Sequence, residues 1–288
     1  MLKRLYLFAI VAVLSSCSIF APQDKHLLWE VKSENASVHL LGSVHIAKPD
    51  IYPLDPVIEN AFDSSRYLAV ELDISEVDPM EMIKYATYPT GETLKENISE
   101  ESYTKLKSLF REHGISESVY NSYKPWMASM ILMQLELSQS GYEQNSGIDM
   151  HFIQKAKEQD KEILELETLE QQMQLFDKLE GKSDEYLAYS IKDMKNTVKK
   201  MDEIFQRWQE GDADGLDDIM NEEFDIEGGD VIEDELLIKR NKRMTTKIKS
   251  YLNKGGTYFV VVGAAHLVGD NGIIRALNST NEYEIKQK

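Results

Sequence analysis

The sequence predicts an α/β fold in which strands from both ends of the chain meet in one central sheet system, with a long helical stretch at about residues 91–250 between them. Three observations carry this reading. An apolar run followed by Gly-x-x-His occurs near the start, Val38-His-Leu-Leu-Gly-Ser-Val-His45, and again near the end, Val260-Val-Val-Gly-Ala-Ala-His266. Helix-period apolar spacing fills most of the chain between them. Tyr258-Phe-Val-Val-Val262 is apolar at every position, as a strand covered on both faces must be.

Taken in order, His26–Lys32 and Ser37–Leu41 read as a hairpin joined by the polar Ser-Glu-Asn-Ala turn. Asp55-Pro56 predicts a helix start, because Asp caps free N–H groups and Pro fits the first turn; that helix runs to about Ser64. Arg66–Ile74 reads as a strand with Leu68, Val70 and Leu72 on one face and Ala69, Glu71 and Asp73 on the other. Tyr103, Leu106, Leu109 and Phe110 have helical spacing, and Pro125 opens a methionine-rich helix whose apolar residues are expected to pack in the core. Ile163–Leu166 is a short strand, and Thr168 with Gln171 or Gln172 marks a capped helix start. Loops are expected at Gly211–Asp214 and Gly228-Gly229. After the strand Tyr258–Val262 come a loop at Gly263–Asp270, a short helix and a last strand near Glu282–Lys286.

The first residues read as a targeting segment. Lys3 and Arg4 precede the apolar run Leu5–Leu14, which is too short to span about 30 Å of hydrocarbon but suits a secretory signal. Leu14-Ser15-Ser16-Cys17 resembles a bacterial lipobox, implying a signal peptide at 1–16, cleavage before Cys17 and acylation of its sulfur, palmitate included. Residues 17–25 then form a lipidated cysteine and tether, and 26–288 one domain. The expected address is the cell envelope, held to a membrane by the lipid; Ser18 would allow the outer membrane in a Gram-negative host.

Composition narrows the chemistry. Of 288 residues, 50 are acidic and 32 basic, a net charge of −18, which argues against nucleic acid as a partner. The single cysteine excludes a disulfide framework and a Cys-rich metal site. No Gly-x-Ser-x-Gly elbow, P-loop, dinucleotide fingerprint or His-Glu-x-x-His helix occurs.

The two Gly-x-x-His motifs remain. Glycine lets the chain turn at a strand end, where α/β proteins hold their ligands, so His45 and His266 would share one metal ion or one reacting group. Glu71 is a third ligand or a general base, and Asp73 a supporting carboxylate or a strand end. His26, His39 and His113 read as structural or exposed, and spacing gives Asp149 and His151 no role.

From about Leu27 to the C-terminus the chain resembles the TraB/PrgY/GumN family, within the Tiki/erythromycin-esterase/ChaN-like superfamily. The landmarks are Leu28-Trp29-Glu30-Val31, Leu41-Gly42-Ser43-Val44-His45, Val70-Glu71-Leu72-Asp73, Lys124-Pro125-Trp126, Gly147-Ile148-Asp149 with Phe152, and Leu166-Glu167-Thr168 with Gln171. Trp208 with Gly211-Asp212, Lys239-Arg240-Asn241 with Met244, and Gly263–Gly269 with Gly272-Ile273 complete them in order; Lys239 stands where the family usually has Glu. The resemblance implies two pseudo-symmetric halves around a shared cleft, His45 and Glu71 in one, Glu167 and His266 in the other. Arg240 and Asn241 would sit on a helix facing that cleft. It implies a hydrolase, in the Tiki branch a metal-dependent protease. By that reading His45, His266 and Glu71 bind Mn²⁺, Co²⁺ or Zn²⁺, and Arg240 stabilises charge developing on a peptide or protein substrate. Glu167 holds a histidine tautomer or supports its half. The other reading is a haem-, metal- or peptide-binding lipoprotein without catalysis. Neither the substrate nor the oligomeric state is written in the sequence.

Overall fold

The computed structural model describes residues 25–178, 183–192, 194–225 and 229–288. The signal peptide, Cys17, the tether up to residue 24 and Gly228 therefore lie outside the described residues. Six strands form one mixed sheet: β1 (Leu28–Lys32), β2 (Ala36–Ser43), β3 (Tyr67–Val70), β4 (Glu162–Glu165), β5 (Gly256–Gly263) and β6 (Glu284–Gln287), in the order β4-β3-β5-β2-β1-β6. The neighbours β4, β3, β5 and β2 run parallel; at one edge β1 runs antiparallel to β2, and β6, antiparallel to β1, follows the direction of the other four. β2 and β5 pair from Ala36–Gly256 to Ser43–Gly263, so the two strand-plus-histidine motifs leave the sheet side by side.

The helices follow in chain order. After β2 comes α1 (Pro56–Asp63), whose N-terminus Asp55 caps by accepting from Val57 N–H at 2.8 Å. Between β3 and β4 lie α2 (Pro79–Ala86), α3 (Leu94–Asn97), α4 (Glu100–Glu112), α5 (Glu117–Tyr120), α6 (Pro125–Gln139) and α7 (Ile148–Glu158). Between β4 and β5 lie α8 (Leu169–Lys178), α9 (Ser183–Lys192), α10 (Thr197–Glu210), α11 (Ala213–Phe224), α12 (Gly229–Glu233), a π-helical turn (Asp234–Ile238) and α13 (Lys239–Lys254). The short α14 (Ile273–Asn278) precedes β6.

The sheet is covered on both faces, which explains its unbroken apolar strands. Phe259 of β5 meets Phe62 of α1 and Phe152 of α7 on one face, with ring centroids 5.5 and 4.7 Å away. Its neighbour Tyr258 points to the other face and stacks on Tyr251 of α13 at 4.7 Å. Each of the three phenylalanines is fully buried, worth roughly 1.5–3 kcal/mol of apolar transfer. A second core, remote from the sheet, gathers Phe110, Tyr120, Leu132 and Leu187 among α4, α5, α6 and α9.

Several expectations need correction. β3 ends at Val70, so Glu71 stands just beyond the strand rather than on one of its faces, and Leu68, Ala69 and Val70 are all buried because helices cover both sides. The short strand expected at Ile163–Leu166 within the helical stretch is β4, Glu162–Glu165, and it forms an edge of the same sheet. The strand ends carrying Glu167, Glu71, His266 and His45 alternate between the expected halves. Gly229 begins α12 instead of sitting in a loop, and Gly211 (φ 63°) with Asp212 makes only a tight break between α10 and α11. Thr168 and Gln171 do form a reciprocal cap, Gln171 N–H to Thr168 Oγ1 at 3.2 Å and Thr168 N–H to Gln171 Oε1 at 3.1 Å. On α6, Met130 and Met133 are 42% and 40% exposed, so this part of the methionine stripe is not core packing. Among the described residues, no helix is long and apolar enough to cross a membrane.

Candidate functional site

Four parallel strands deliver one residue each to the same edge. Just past the carboxyl ends of β4, β3, β5 and β2 stand Glu167, Glu71, His266 and His45. α13 lies against β2 and β5 and brings Arg240 and Asn241 over this row.

Glu71 is the hub. Its Oε1 accepts from the Gly263 backbone N–H at 2.6 Å and lies 3.7 Å from His266 Nε2, while its Oε2 is paired with Arg240 Nη2. Burial works to raise the Glu71 pKa. The charges of His266, Arg240 and His45, with the Gly263 N–H, overcome it and hold the carboxyl down at about 2. Arg240 joins the two carboxylates, donating to Glu167 Oε2 from Nε at 2.8 Å and Nη2 at 2.6 Å. Glu167 has no exposed side-chain surface and also accepts from Arg243 at 2.9 Å. Burial opposes its ionisation, but the two guanidinium groups keep its pKa below the ordinary glutamate value. Glu167 therefore anchors arginines and does not hold a histidine, as had been one expectation.

Other residues hold the histidines. His266 is 4% exposed, and its Nδ1 lies 2.7 Å from Asn241 Oδ1. Asn241 Nδ2 donates to the Asn271 carbonyl at 2.9 Å, so Oδ1 is the acceptor and the proton belongs on His266 Nδ1. The Nε2 lone pair is left facing Glu71. Burial lowers the His266 pKa to about 4, which makes this imidazole neutral at pH 7.

His45 is the opposite case. Its side chain is 64% exposed, and its Nδ1 lies 3.2 Å from Asp149 Oδ2. Desolvation works against its charged form, but Asp149 and then Glu71 outweigh it and raise the pKa to about 9. The local chain explains this contact. α7 starts against the turn after β2, with Ile148 N–H bonded to the Val44 carbonyl at 3.0 Å, and Asp149 sits in its first turn, where the helix dipole favours an anion. Only glycine fits at 147, since a methyl group there would lie 2.3 Å from the His45 carbonyl oxygen. At the same strand end, Trp208 Nε1 donates to the Gly42 carbonyl at 2.7 Å.

The three donor groups face one spot. A methyl group set on Gly263 would stand 3.4 Å from Glu71 Oε1, 3.6 Å from His45 Nε2 and 3.6 Å from His266 Cδ2. Both histidines are held at Nδ1 by an oxygen acceptor, the arrangement that leaves Nε2 for a metal or a proton. In chemical kind this donor set fits a divalent cation. Among the described residues no three or more His, Cys, Asp or Glu side chains stand close enough together to hold a metal ion as they are placed.

The remaining expected residues lie elsewhere. Asp73 accepts from Ser75 at 2.5 Å and pairs with Lys157 at 3.4 Å, a turn-stabilising role. His26 faces Asp55, His39 faces Glu30, His113 bridges Glu136 and Gln139, and His151 stacks on Tyr52 beside Glu59. Asp149 is the residue that sequence reasoning missed. Its only signal was its place in Gly147-Ile148-Asp149, whose partner His45 is far away in sequence.

A family model described as the TraB/PrgY/gumN family matches residues 27–287. The uncharacterized protein YbaP of Escherichia coli (strain K12) is 28% identical over 243 residues, covering 84% of this chain and 88% of that protein. YbaP of Shigella flexneri gives the same identity and coverage, 28%, 84% and 88%. An uncharacterized protein of Treponema pallidum (strain Nichols) is 20% identical over 155 residues, 52% of this chain and 46% of its own length. No solved structure gives a significant match. The chain belongs to the TraB/PrgY/gumN family.

Proposed function

We propose that this member of the TraB/PrgY/gumN family is a metal-dependent hydrolase that cleaves peptide bonds while tethered to a membrane through Cys17. The observation that carries the reading is the meeting of His45, Glu71 and His266 at one sheet edge, with both imidazoles fixed at Nδ1. A divalent Mn²⁺, Co²⁺ or Zn²⁺ ion held by His45, His266 and Glu71 would supply Lewis acidity and lower the pKa of a water toward about 7.

The protein's own groups have separable tasks in this reading. Glu71, ionised and already bonded to Arg240 and Gly263, is a poor proton acceptor near pH 7, so it serves as ligand and charge anchor rather than general base. His266 offers a neutral Nε2 at pH 7, and Asn241 fixes its orientation. His45 carries a proton in the metal-free protein and must release it to ligate, so metal affinity rises with pH up to about 9. Arg240 positions Glu71 and keeps positive charge beside the substrate oxygen, where developing negative charge is stabilised. The view of two related halves rests on the parallel neighbours β2 and β5, each leading to a Gly-x-x-His.

The test is a peptide-library cleavage screen on protein stripped with chelator and then given Mn²⁺, Co²⁺ or Zn²⁺. Cleavage lost on stripping and restored by one ion is the expected result; cleavage unaffected by stripping refutes metal dependence. Haem binding without catalysis predicts instead a Soret band on adding haem. For the tether, Cys17→Ala should move the protein from the membrane fraction to the soluble one.

A further inference from the structure

Arg243 is the guanidinium of the site that the catalytic reading leaves unused. It follows Arg240 by three residues on α13, so the two stand on one face of the helix. Each takes one oxygen of the buried Glu167, Arg240 Nη2 meeting Oε2 at 2.6 Å and Arg243 Nη2 meeting Oε1 at 2.9 Å. Their remaining donors differ. Arg240 makes four hydrogen bonds, two to Glu167, one to Glu71 and one to the Leu236 carbonyl. Arg243 makes only one among the described residues. Its side chain is 39% exposed against 11% for Arg240.

The result is a fixed, partly open cation beside the site. Glu167 holds Nη2 of Arg243, while Nη1 has no partner among the described residues and is not sealed off as Nε is. A planar guanidinium pinned at one nitrogen, with donors to spare, is pre-organised for a carboxylate. Arg243 is one shared carboxylate away from Arg240, which itself pairs with Glu71. That places it within about 10 Å of Glu71, the length of roughly three residues of extended peptide.

The chain around Arg243 is basic in a protein that is otherwise strongly acidic. Against a net charge of −18, Lys239–Lys249 holds six basic residues and no acidic one. Lys239 is taken by Asp234 and Glu235, and Arg240 by the two site glutamates. Lys242 and Lys247 are exposed and pair with no carboxylate among the described residues. Lys247, one turn beyond Arg243, rests on the Glu165 carbonyl at the end of β4 at 3.0 Å. Such a patch draws anions toward this end of the site. We propose that Arg243 binds a carboxylate of the substrate, about three residues from the cleaved bond, with Lys242 and Lys247 attracting it. The chemistry is the same whether that carboxylate ends the peptide or belongs to an aspartate or glutamate side chain. The inference rests on the peptide-hydrolase reading above and narrows its substrate class to peptides with an anionic group near the scissile bond.

The experiment is an NMR titration that follows the backbone amide and arginine Nε–H resonances of the isotope-labelled protein. Three N-acetylated octapeptides of alanine and glutamine are added: one with a free C-terminal carboxylate, one amidated, and one amidated with a single internal glutamate. The Arg243 resonance should move and saturate with a carboxylate-bearing peptide and stay in place with the neutral amide. Response to the free terminus alone makes the bound group a chain end, and response to the internal glutamate alone makes it a side chain. Response to both makes the site one for either carboxylate. Arg243→Gln leaves Glu167 with Arg240 and Gln172, and should bind at least about tenfold more weakly. Arg243→Lys keeps a charge beside Glu167 but loses the planar fork, so it should weaken binding with the fold kept, which circular dichroism checks. Equal binding of the neutral amide, undiminished binding by Arg243→Gln, or no saturation of the wild type by about 10 mM overturns the site. Cleavage of the same peptides separates the two readings. If they are cut, Arg243→Gln should raise KM for the carboxylate peptides about tenfold and leave kcat unchanged. Carboxylate binding that needs Arg243 without any cleavage contradicts the hydrolase and leaves the site. Cleavage indifferent to both the carboxylate and Arg243 contradicts the site and leaves the hydrolase.

Discussion

His45 and Asp149 meet across the gap between the end of β2 and the start of α7, Nδ1 and Oδ2 3.2 Å apart. This contact sets the protonation of the more exposed of the two site histidines, and it exists because Gly147 lets the start of α7 lie against the His45 carbonyl. In Asp149→Asn the anion is gone, so the His45 pKa should fall from about 9 toward the ordinary 6.5. Imidazole titration by NMR reads this directly. Turnover should fall about 10–100-fold, as when a ligand histidine loses its orienting partner. An unmoved His45 pKa would show that Asp149 does not hold it.

Gly147→Ala tests the same junction from the backbone. The new methyl would meet the His45 carbonyl oxygen at 2.3 Å, so α7 or the loop after β2 must shift. A loss of about 1–3 kcal/mol in urea unfolding is expected, as for other forced insertions of a methyl group into packed structure. Wild-type stability would mean that the loop yields freely.

Arg240 is the only described side chain bonded to both site glutamates. Arg240→Met would leave the fully buried Glu167 with Arg243 and Gln172, and Glu71 without its guanidinium. A cost of about 1.5–3 kcal/mol is expected from the lost charged hydrogen bonds, because Arg243 still balances Glu167. The Arg240→Met/Glu167→Leu pair should cost less than the sum of its single changes, because each single change already breaks the bonds that the two residues share.

Stability of the metal-free protein should fall as acid is added, in two windows. His266 has a folded pKa of about 4 against an ordinary 6.5, so between those values the unfolded chain takes up a proton that the folded one refuses. Glu71 has a folded pKa of about 2 against 4.5, so its stabilisation is present above 4.5 and lost as pH falls toward 2. His45 acts in the opposite direction, stabilising fully below 6.5 and losing that contribution as pH rises through about 9. Denaturant midpoints from pH 3 to 9.5 would show these slopes; His266→Asn should flatten the window from 6.5 to 4 and Glu71→Gln the one below 4.5.

Glu71→Gln should abolish turnover on any peptide that the wild type cleaves, with the circular dichroism spectrum unchanged. Glutamine keeps an oxygen for the Gly263 N–H but cannot balance Arg240 or bind a cation as a carboxylate does. A fully active variant would remove Glu71 from the chemistry.

Much of this site was legible because its parts are local. An apolar run, a glycine and a histidine within eight residues announce a strand end, and two such runs announce two neighbouring strands. Arg240 and Asn241 came from the family resemblance. What stayed hidden was pairing across long stretches of sequence. Nothing near Asp149 names His45 as its partner, and nothing near Glu167 shows that two arginines from α13 converge on it. Met130 and Met133 misled for a related reason. A helix apolar on every side reads as core, yet one side packs on the second hydrophobic cluster and the other borders an open groove.

The most direct measurement is calorimetric titration of Mn²⁺, Co²⁺ and Zn²⁺ into the chain from Ser18, beside a His45→Ala/His266→Ala double variant. The account predicts one site in the wild type, lost in the double variant, with protons released on binding as His45 gives up its charge. No binding to the wild type, or undiminished binding to the double variant, would contradict the claim that these two histidines share one metal.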